Sequence, residues 1–208
     1  MNLPSQVRCG LLLLCVLSGT PAPASMVAVT VRTASGAAAE DALIVFEPRD
    51  AMPPPAKATV AIDQVNKRFV PRVTILRTGT AVTFPNSDNI RHQVYSFSAA
   101  KSFDLKLYAG SPKEDVVFDK PGLVILGCNI HDTMVGFVVV VDSPYFGRIS
   151  PSGELALDLP PGHYSLRVWH PNLAAPLLPK EITVGAAAQG VSLVIDIDPK
   201  RDAVAPWP

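Results

Sequence analysis

Short aliphatic or alternating segments, separated by turn residues, recur along the chain from residue 27 to residue 197. Segments of this length that are rich in β-branched residues are typical of strands, and no long stretch has the 3.6-residue period of an amphipathic helix. The pattern therefore predicts an all-β fold, with an irregular segment at 99–110. Strands are expected at 27–32, 42–47, 59–62, 70–76, 81–84, 92–95, 115–118, 123–126, 135–141, 154–159, 163–169, 181–184 and 191–197.

One predicted loop carries an unusual set of side chains. It lies between the apolar runs 123–126 and 135–141, both predicted to be buried strands, so it should sit at one end of a sheet. The candidate metal ligands are Cys128, His131 and Met134 in this loop and His92 upstream. Two histidines, one cysteine and a weak axial methionine are the ligands of blue-copper sites. The sequence therefore predicts a copper site.

Two other uses of this loop are less well supported by the sequence. Zinc prefers four cysteine, histidine or carboxylate ligands, and the carboxylate at hand, Asp132, neighbours His131 and is expected to point outward. A nucleophilic Cys128 would need an orienting third group and an oxyanion hole, and neither is recognisable. With four histidines in all, the chain also has too few for the trinuclear cluster of a multicopper oxidase. We therefore expect that the protein is not an enzyme.

The candidate ligands and their spacing resemble the cupredoxins, above all plastocyanin and amicyanin, over residues 58–142. The three loop ligands are separated by two residues each, which is similar to the short amicyanin form. The resemblance implies a Greek-key cupredoxin β-sandwich, one type 1 copper ion and single-electron transport. It also implies that Asn86 hydrogen-bonds across the two ligand loops and protects the thiolate.

Two positions depart from plastocyanin. Gln93 follows the first histidine where plastocyanin has asparagine, so the bond that ties the loops at this point is not carried over. Gln93 stays a candidate residue beside the ligands. Gly127 precedes the cysteine where plastocyanin has tyrosine, so a tyrosine route for electrons is not expected. Electrons should instead reach redox partner proteins through the exposed edge of His131.

The ends of the chain resemble a different sandwich. Residues 26–50 and 143–198 are similar to the two parts of a carboxypeptidase-regulatory or transthyretin-like domain. We therefore favour a second small β-sandwich that is discontinuous, with the cupredoxin domain inserted between its parts. In the alternative, residues 26–50 add strands to the cupredoxin sheet. Further segments are similar to small exported proteins known as methylamine-utilization proteins: 63–64, 69–71, 127–131 and 169–171.

The first 24 residues predict a secretory signal peptide. Arg8 precedes the apolar run 11–17, and small residues at 22–24 suit cleavage. The run is too short to span a bilayer, so no integral membrane segment is expected after cleavage, and the location should be periplasmic or secreted. Cys128 would then be the single cysteine left, and an unpaired thiol in an exported protein suggests a metal.

The charge of the chain argues against some partners but does not decide between several functions. The formal net charge is zero, so neither nucleic acid nor an anionic membrane surface is indicated as a partner. Arg91 is the one charge that must lie near the site. Besides electron transport, two functions remain possible: a periplasmic copper carrier or chaperone, and an adhesion or scaffold module in which the second sandwich is the working part.

Overall fold

A computed structural model describes residues 24–200 and Trp207. All seventeen regular elements in this part of the chain are strands, which confirms the all-β prediction. Nearly all of the predicted signal peptide, 1–24, lies outside the described residues. The strands are β1 Ser25–Thr33, β2 Leu43–Pro48, β3 Thr59–Ala61, β4 Asp63–Val65, β5 Arg68–Val70, β6 Val73–Arg77, β7 Thr80–Thr83, β8 His92–Ser98, β9 Lys101–Tyr108, β10 Val116–Phe118, β11 Gly122–Gly127, β12 Val135–Val141, β13 Tyr145–Arg148, β14 Glu154–Leu159, β15 Gly162–Trp169, β16 Lys180–Val184 and β17 Gln189–Ile195.

Strands β3 and β6 to β12 form the first sandwich. Its larger sheet has the order β6-β12-β11-β8-β9, and its smaller sheet has the order β10-β7-β3. Side chains of both sheets meet in one buried cluster that includes Val82, Phe118, Val124 and Val138. The hairpin β4-β5 lies outside both sheets. Cys128 and Met134 belong to the same buried cluster, so the candidate site lies at the margin of this core.

Strands from both ends of the chain form the second sandwich. Strand β1 lies between β14 and β17 in one sheet, and β2 lies between β13 and β15 in the other. Their inner faces enclose a core that includes Val29, Phe46, Tyr164 and Leu166. Residues 25–48 therefore pair with residues 145–195. The division of the chain into independently folding domains stays a prediction.

A third buried cluster joins the two sandwiches. It combines Val45 and Trp169 of the second sandwich with Phe137 and Val139 of the first. The rings of Phe137 and Trp169 have centroids 6.0 Å apart at an interplanar angle of 63°, an edge-to-face contact. Strand β12 is therefore covered on both faces, which is why its sequence is a continuous apolar run instead of an alternating one.

The structure contains strands that were not expected, β13 and the hairpin β4-β5, and it differs from the expected strands in two further places. Residues 99–110, expected to be irregular, contain the eight-residue strand β9, which is an edge strand with alternating half-buried and exposed side chains. The strand expected at 70–76 is divided at the cis peptide bond between Val70 and Pro71, so that β5 and β6 belong to different sheets. Proline provides no N–H for a ladder, which explains the interruption.

The described residues include no helix of the length and apolar character needed to cross a bilayer.

Candidate metal centre

The loop after β11 consists of two successive turns. The His131 N–H donates to the Cys128 carbonyl at 3.4 Å, and the Met134 N–H donates to the His131 carbonyl at 2.8 Å. Each turn joins a residue to the third residue after it. The three-residue spacing of cysteine, histidine and methionine therefore places one candidate ligand at each end of each turn.

The fold brings His92 to this loop from a distant part of the sequence. His92 begins β8, which pairs with β11 through Tyr95 and Gly127. The Sγ atom of Cys128 lies 3.8 Å from Nδ1 of His92 and 3.9 Å from Nδ1 of His131. The ligand atoms of the three side chains all lie within 4.8 Å of one another.

These separations suit a single ion between the three donor atoms. With metal bonds of about 2.3 Å to sulfur and about 2.0 Å to nitrogen, and an angle of about 120° between them, the two donor atoms lie roughly 3.7 Å apart. His92 is fully buried and Cys128 is 3% exposed, while His131 is partly exposed. The donor set therefore fits a metal with one ligand at the surface.

Met134 is 1% exposed and packs in the same buried cluster as Cys128. Its backbone N–H closes the second turn of the loop. Met134 therefore shares the core beneath the site with Cys128. Its role as fourth ligand belongs to the proposed function.

Asp88, which the sequence did not single out, fixes the orientation of His92. The Oδ2 atom of Asp88 lies 2.7 Å from Nε2 of His92. An ionised carboxylate only accepts, so Nε2 carries the proton and Nδ1 presents its lone pair toward Cys128. Carboxylates on the far nitrogen of a ligating histidine fix its tautomer and ring orientation in metal sites generally.

The hairpin β4-β5 holds this carboxylate in turn. The N–H groups of Asn66 and Lys67 donate to Asp88 at 2.6 and 2.9 Å. Both turn residues have positive φ, 53° and 59°, which is the geometry of a two-residue type I′ turn. Burial is the largest influence on the Asp88 pKa and opposes ionisation. The hydrogen bonds from Lys67, His92 and Asn66 outweigh it and lower the pKa of Asp88.

Asn86 makes bonds different from those that the resemblance implied. Its side-chain nitrogen donates to the carbonyls of Ile90 at 2.9 Å and Tyr108 at 3.1 Å. Its side-chain oxygen accepts from the N–H of Asp88 at 3.1 Å. These bonds order the loop that leads into His92, and the expected bond across to the cysteine loop is not among them. Gln93 likewise donates outward, to Asp104 at 2.5 Å.

A tyrosine from the neighbouring strand occupies the space beside Gly127. A Cβ atom built on Gly127 would lie 2.8 Å from Cζ of Tyr95 and 2.9 Å from its hydroxyl. The glycine therefore permits a close approach of an aromatic ring to the residue before Cys128. The sequence indicated correctly that no tyrosine precedes the cysteine, but it did not show that Tyr95 lies against the same point from β8.

A buried polar group supports the base of the site. Gln64 is fully buried, and its side-chain nitrogen bonds the Tyr108 hydroxyl at 2.5 Å and the Phe84 carbonyl at 3.2 Å. Burial is the main reason that the pKa of Tyr108 rises to about 12. Tyr108 thus stays a neutral phenol that donates to Phe84. This arrangement ties the hairpin to the strand end that leads to Asn86.

The solved structures that are similar to this chain include copper proteins. A copper-containing nitrite reductase from Thermus scotoductus is 24% identical, with a TM-score of 0.37 over 46% of this chain and 25% of its own. A purple cupredoxin from Nitrosopumilus maritimus is 24% identical, with a TM-score of 0.35 over 40% of this chain and 99% of its own. A mutant amicyanin in its reduced state is 17% identical, with a TM-score of 0.36 over 49% of this chain and 100% of its own.

The chain spans only a quarter of the nitrite reductase. No protein-family model matches the chain, and no curated protein matches it. The resemblances to methylamine-utilization proteins and to carboxypeptidase-regulatory sandwiches stay predictions.

Proposed function

We propose that this chain is an exported, mononuclear type 1 copper protein that carries single electrons between redox partners. The proposed ligands are His92, Cys128, His131 and Met134. The observation that carries the proposal is the cluster of two imidazole nitrogens and one cysteine sulfur, all within 4.8 Å of one another. Nitrogen and sulfur donors in this proportion, beside a buried thioether, are the blue-copper combination.

Copper would supply a one-electron redox couple at this site. The chain's own contribution is to hold the donor atoms still and to keep water away from them. His92 is held by Asp88, and the loop ligands are held by two hydrogen-bonded turns. The buried cluster beneath Cys128 and Met134 covers the inner side of the site. Donors that are already in place need little reorganisation when the charge of the ion changes.

The geometry argues against the other uses of this site. The group of potential ligands among the described residues contains no carboxylate, so a structural zinc site would lack its fourth protein donor. Cys128 is 3% exposed, which leaves a nucleophilic thiol no access to substrate. The buried ligands favour electron transport over a copper carrier, which must exchange its metal with a partner. The proposal is therefore a redox protein and not an enzyme.

Addition of copper to the purified protein tests the proposal. The oxidised protein with one equivalent of Cu²⁺ should show an intense visible thiolate-to-copper band, and Cys128→Ser should abolish it. His163→Gln is the matched control, because His163 is exposed on β15 in the second sandwich and bonds Thr183. A visible band of full strength in Cys128→Ser would refute the assignment of the cysteine. Tighter binding of zinc, without colour from copper, would refute the copper site.

A further inference from the structure

The hairpin β4-β5 and the connection from it to β6 bring basic side chains to the rim of the proposed copper site. Arg68 and Arg72 line a cavity of about 370 Å³ together with Thr133 and Val135, which flank Met134. The guanidinium of Arg72 also lies 5.1 Å from the centre of the Phe137 ring. Residues distant in sequence from the ligands thus lie against the end of the ligand loop.

The other side of the same hairpin contacts the loop that leads to the first histidine. Lys67 and Asn66 line a second cavity together with Asp88 and Ile90. Arg91 is exposed next to Ile90 and precedes His92. The hairpin therefore lies between the two ligand loops, and cationic groups are present on three elements around one end of the first sandwich.

These cationic groups are balanced by few acidic ones. We call Lys67, Arg68, Arg72 and Arg91 the basic rim. All four are exposed, and none of them makes a side-chain ion pair among the described residues. Of the acids in the adjoining loops, Asp132 is exposed, whereas the carboxylates of Asp88 and Asp63 are half-buried and accept hydrogen bonds from neighbouring groups. The four exposed cations thus outnumber the one exposed acid, so an approaching molecule meets a locally positive surface, although the whole chain has no net charge.

Apolar side chains lie among the groups of the basic rim. Ile130 is 51% exposed and Ile90 is 37% exposed, and they flank the two histidines along the chain. An apolar centre with a charged border is the usual composition of a protein–protein interface. A small anion could contact Arg68 and Arg72 alone, but it could not span the three elements that carry the rim. The distribution of charge thus favours a protein surface as the occupant.

We propose that the basic rim docks redox partners with an acidic surface, so that the acidic groups contact the rim and the partner's redox centre faces His131. This inference rests on the proposed function and specifies the chemical class of its partner. Complementary charge of this kind acts mainly on the association rate and on partner choice, and its effect falls as salt rises.

The first experiment needs no copper. Metal-free, isotope-labelled protein is titrated with octaglutamate, with octalysine and with inorganic phosphate at low ionic strength, and amide resonances are followed by NMR. Octaglutamate should perturb 66–72, 90–91 and 130–135 together, and octalysine should not. The proposal would be overturned in favour of a small-anion site if phosphate perturbed only Arg68 and Arg72 and octaglutamate perturbed no further residues.

The second experiment measures electron transfer in the copper-loaded protein. Oxidation of the reduced form by anionic hexacyanoferrate(III) is compared with oxidation by cationic tris(phenanthroline)cobalt(III). The double variant Arg68→Gln/Arg72→Gln should be oxidised by the anionic reagent about tenfold more slowly than the wild type at low salt, and its visible band should be unchanged. Arg68→Lys/Arg72→Lys should retain the wild-type rate, because it retains the charge.

The matched control is Lys57→Gln/Lys120→Gln, which removes two exposed charges at the opposite end of the first sandwich. Equal rates in the control and in the rim variant would overturn the proposal. A protein that never develops the visible band would refute the proposed function instead, and the peptide titration would still decide whether the rim binds acidic surfaces.

Discussion

Replacing Asp88 with asparagine tests whether a carboxylate held by the hairpin β4-β5 positions a copper ligand. The Oδ2 atom of Asp88 accepts from His92 and from the Lys67 N–H, and Oδ1 accepts from the Asn66 N–H. An asparagine has one acceptor oxygen. If this oxygen takes the place of Oδ2, the bonds from His92 and Lys67 are kept. The side-chain NH₂ group then replaces Oδ1, which now accepts from the Asn66 N–H at 2.6 Å, and a donor faces a donor.

The expected cost follows from this count of hydrogen bonds. The variant loses one charge-assisted hydrogen bond. A bond of this kind contributes about 1.5–3 kcal/mol to the free energy of unfolding. The two remaining bonds become neutral on the acceptor side and weaker. Partners that orient metal ligands typically change metal affinity by about 10–100-fold when they are replaced. Asp88→Asn should therefore lower both the stability of the metal-free protein and its affinity for copper.

Asp63→Asn provides the matched control. Asp63 is an acid of the same hairpin that accepts from the Ser87 hydroxyl at 2.7 Å and from the Gln64 N–H at 2.7 Å, and its bonds do not include His92. Chemical denaturation of the metal-free variants measures stability, and competition with a chelator measures copper affinity. Asp63→Asn should lose stability while retaining its affinity for copper. Equal copper affinities in the two variants would show that Asp88 does not position His92.

The remaining predictions concern the axial ligand and the organisation of the chain. Met134→Gln should still bind copper but have a lower reduction potential in voltammetry, because an amide oxygen favours the oxidised ion; complete loss of metal would contradict a weak axial role. Deletion of residues 26–50 removes β1 and β2, which should unfold the second sandwich, since each buried aliphatic side chain lost contributes roughly 1.5–3 kcal/mol. The truncated protein should keep its visible band, because the first sandwich has a core of its own. Loss of copper with a folded second sandwich, measured by NMR, would contradict the prediction that the first sandwich folds independently of residues 26–50.

The sequence was informative where the relevant geometry is local. The spacing of Cys128, His131 and Met134 equals the repeat of the two turns that hold them, so the loop could be interpreted from its residues alone. The aliphatic run of β12 also predicted a buried strand correctly. The sequence did not reveal why that run has no polar face, because the second sandwich that covers it comes from the two ends of the chain.

The hairpin β4-β5 was missed because its turn lacks the usual residues. Two-residue I′ turns favour asparagine followed by glycine, and here Lys67 occupies the glycine position with φ of 59°. Strand β9 was missed because an edge strand buries only half of each inward side chain, which weakens its alternating pattern. Both elements depend on contacts made after the sheets assemble.

The sequence by itself thus determined the strand-rich class, the turn-forming ligand loop and the set of donor atoms, since these depend on neighbouring residues. Only the tertiary structure decided that Asp88 orients His92 and that Arg68 and Arg72 lie at the ligand loop. Asp88 is four residues from its histidine, but its bonds to Asn66 and Lys67 form only when the hairpin closes over it. Charges and hydrogen bonds between segments depend on distances through space, and local patterns along the chain do not contain those distances.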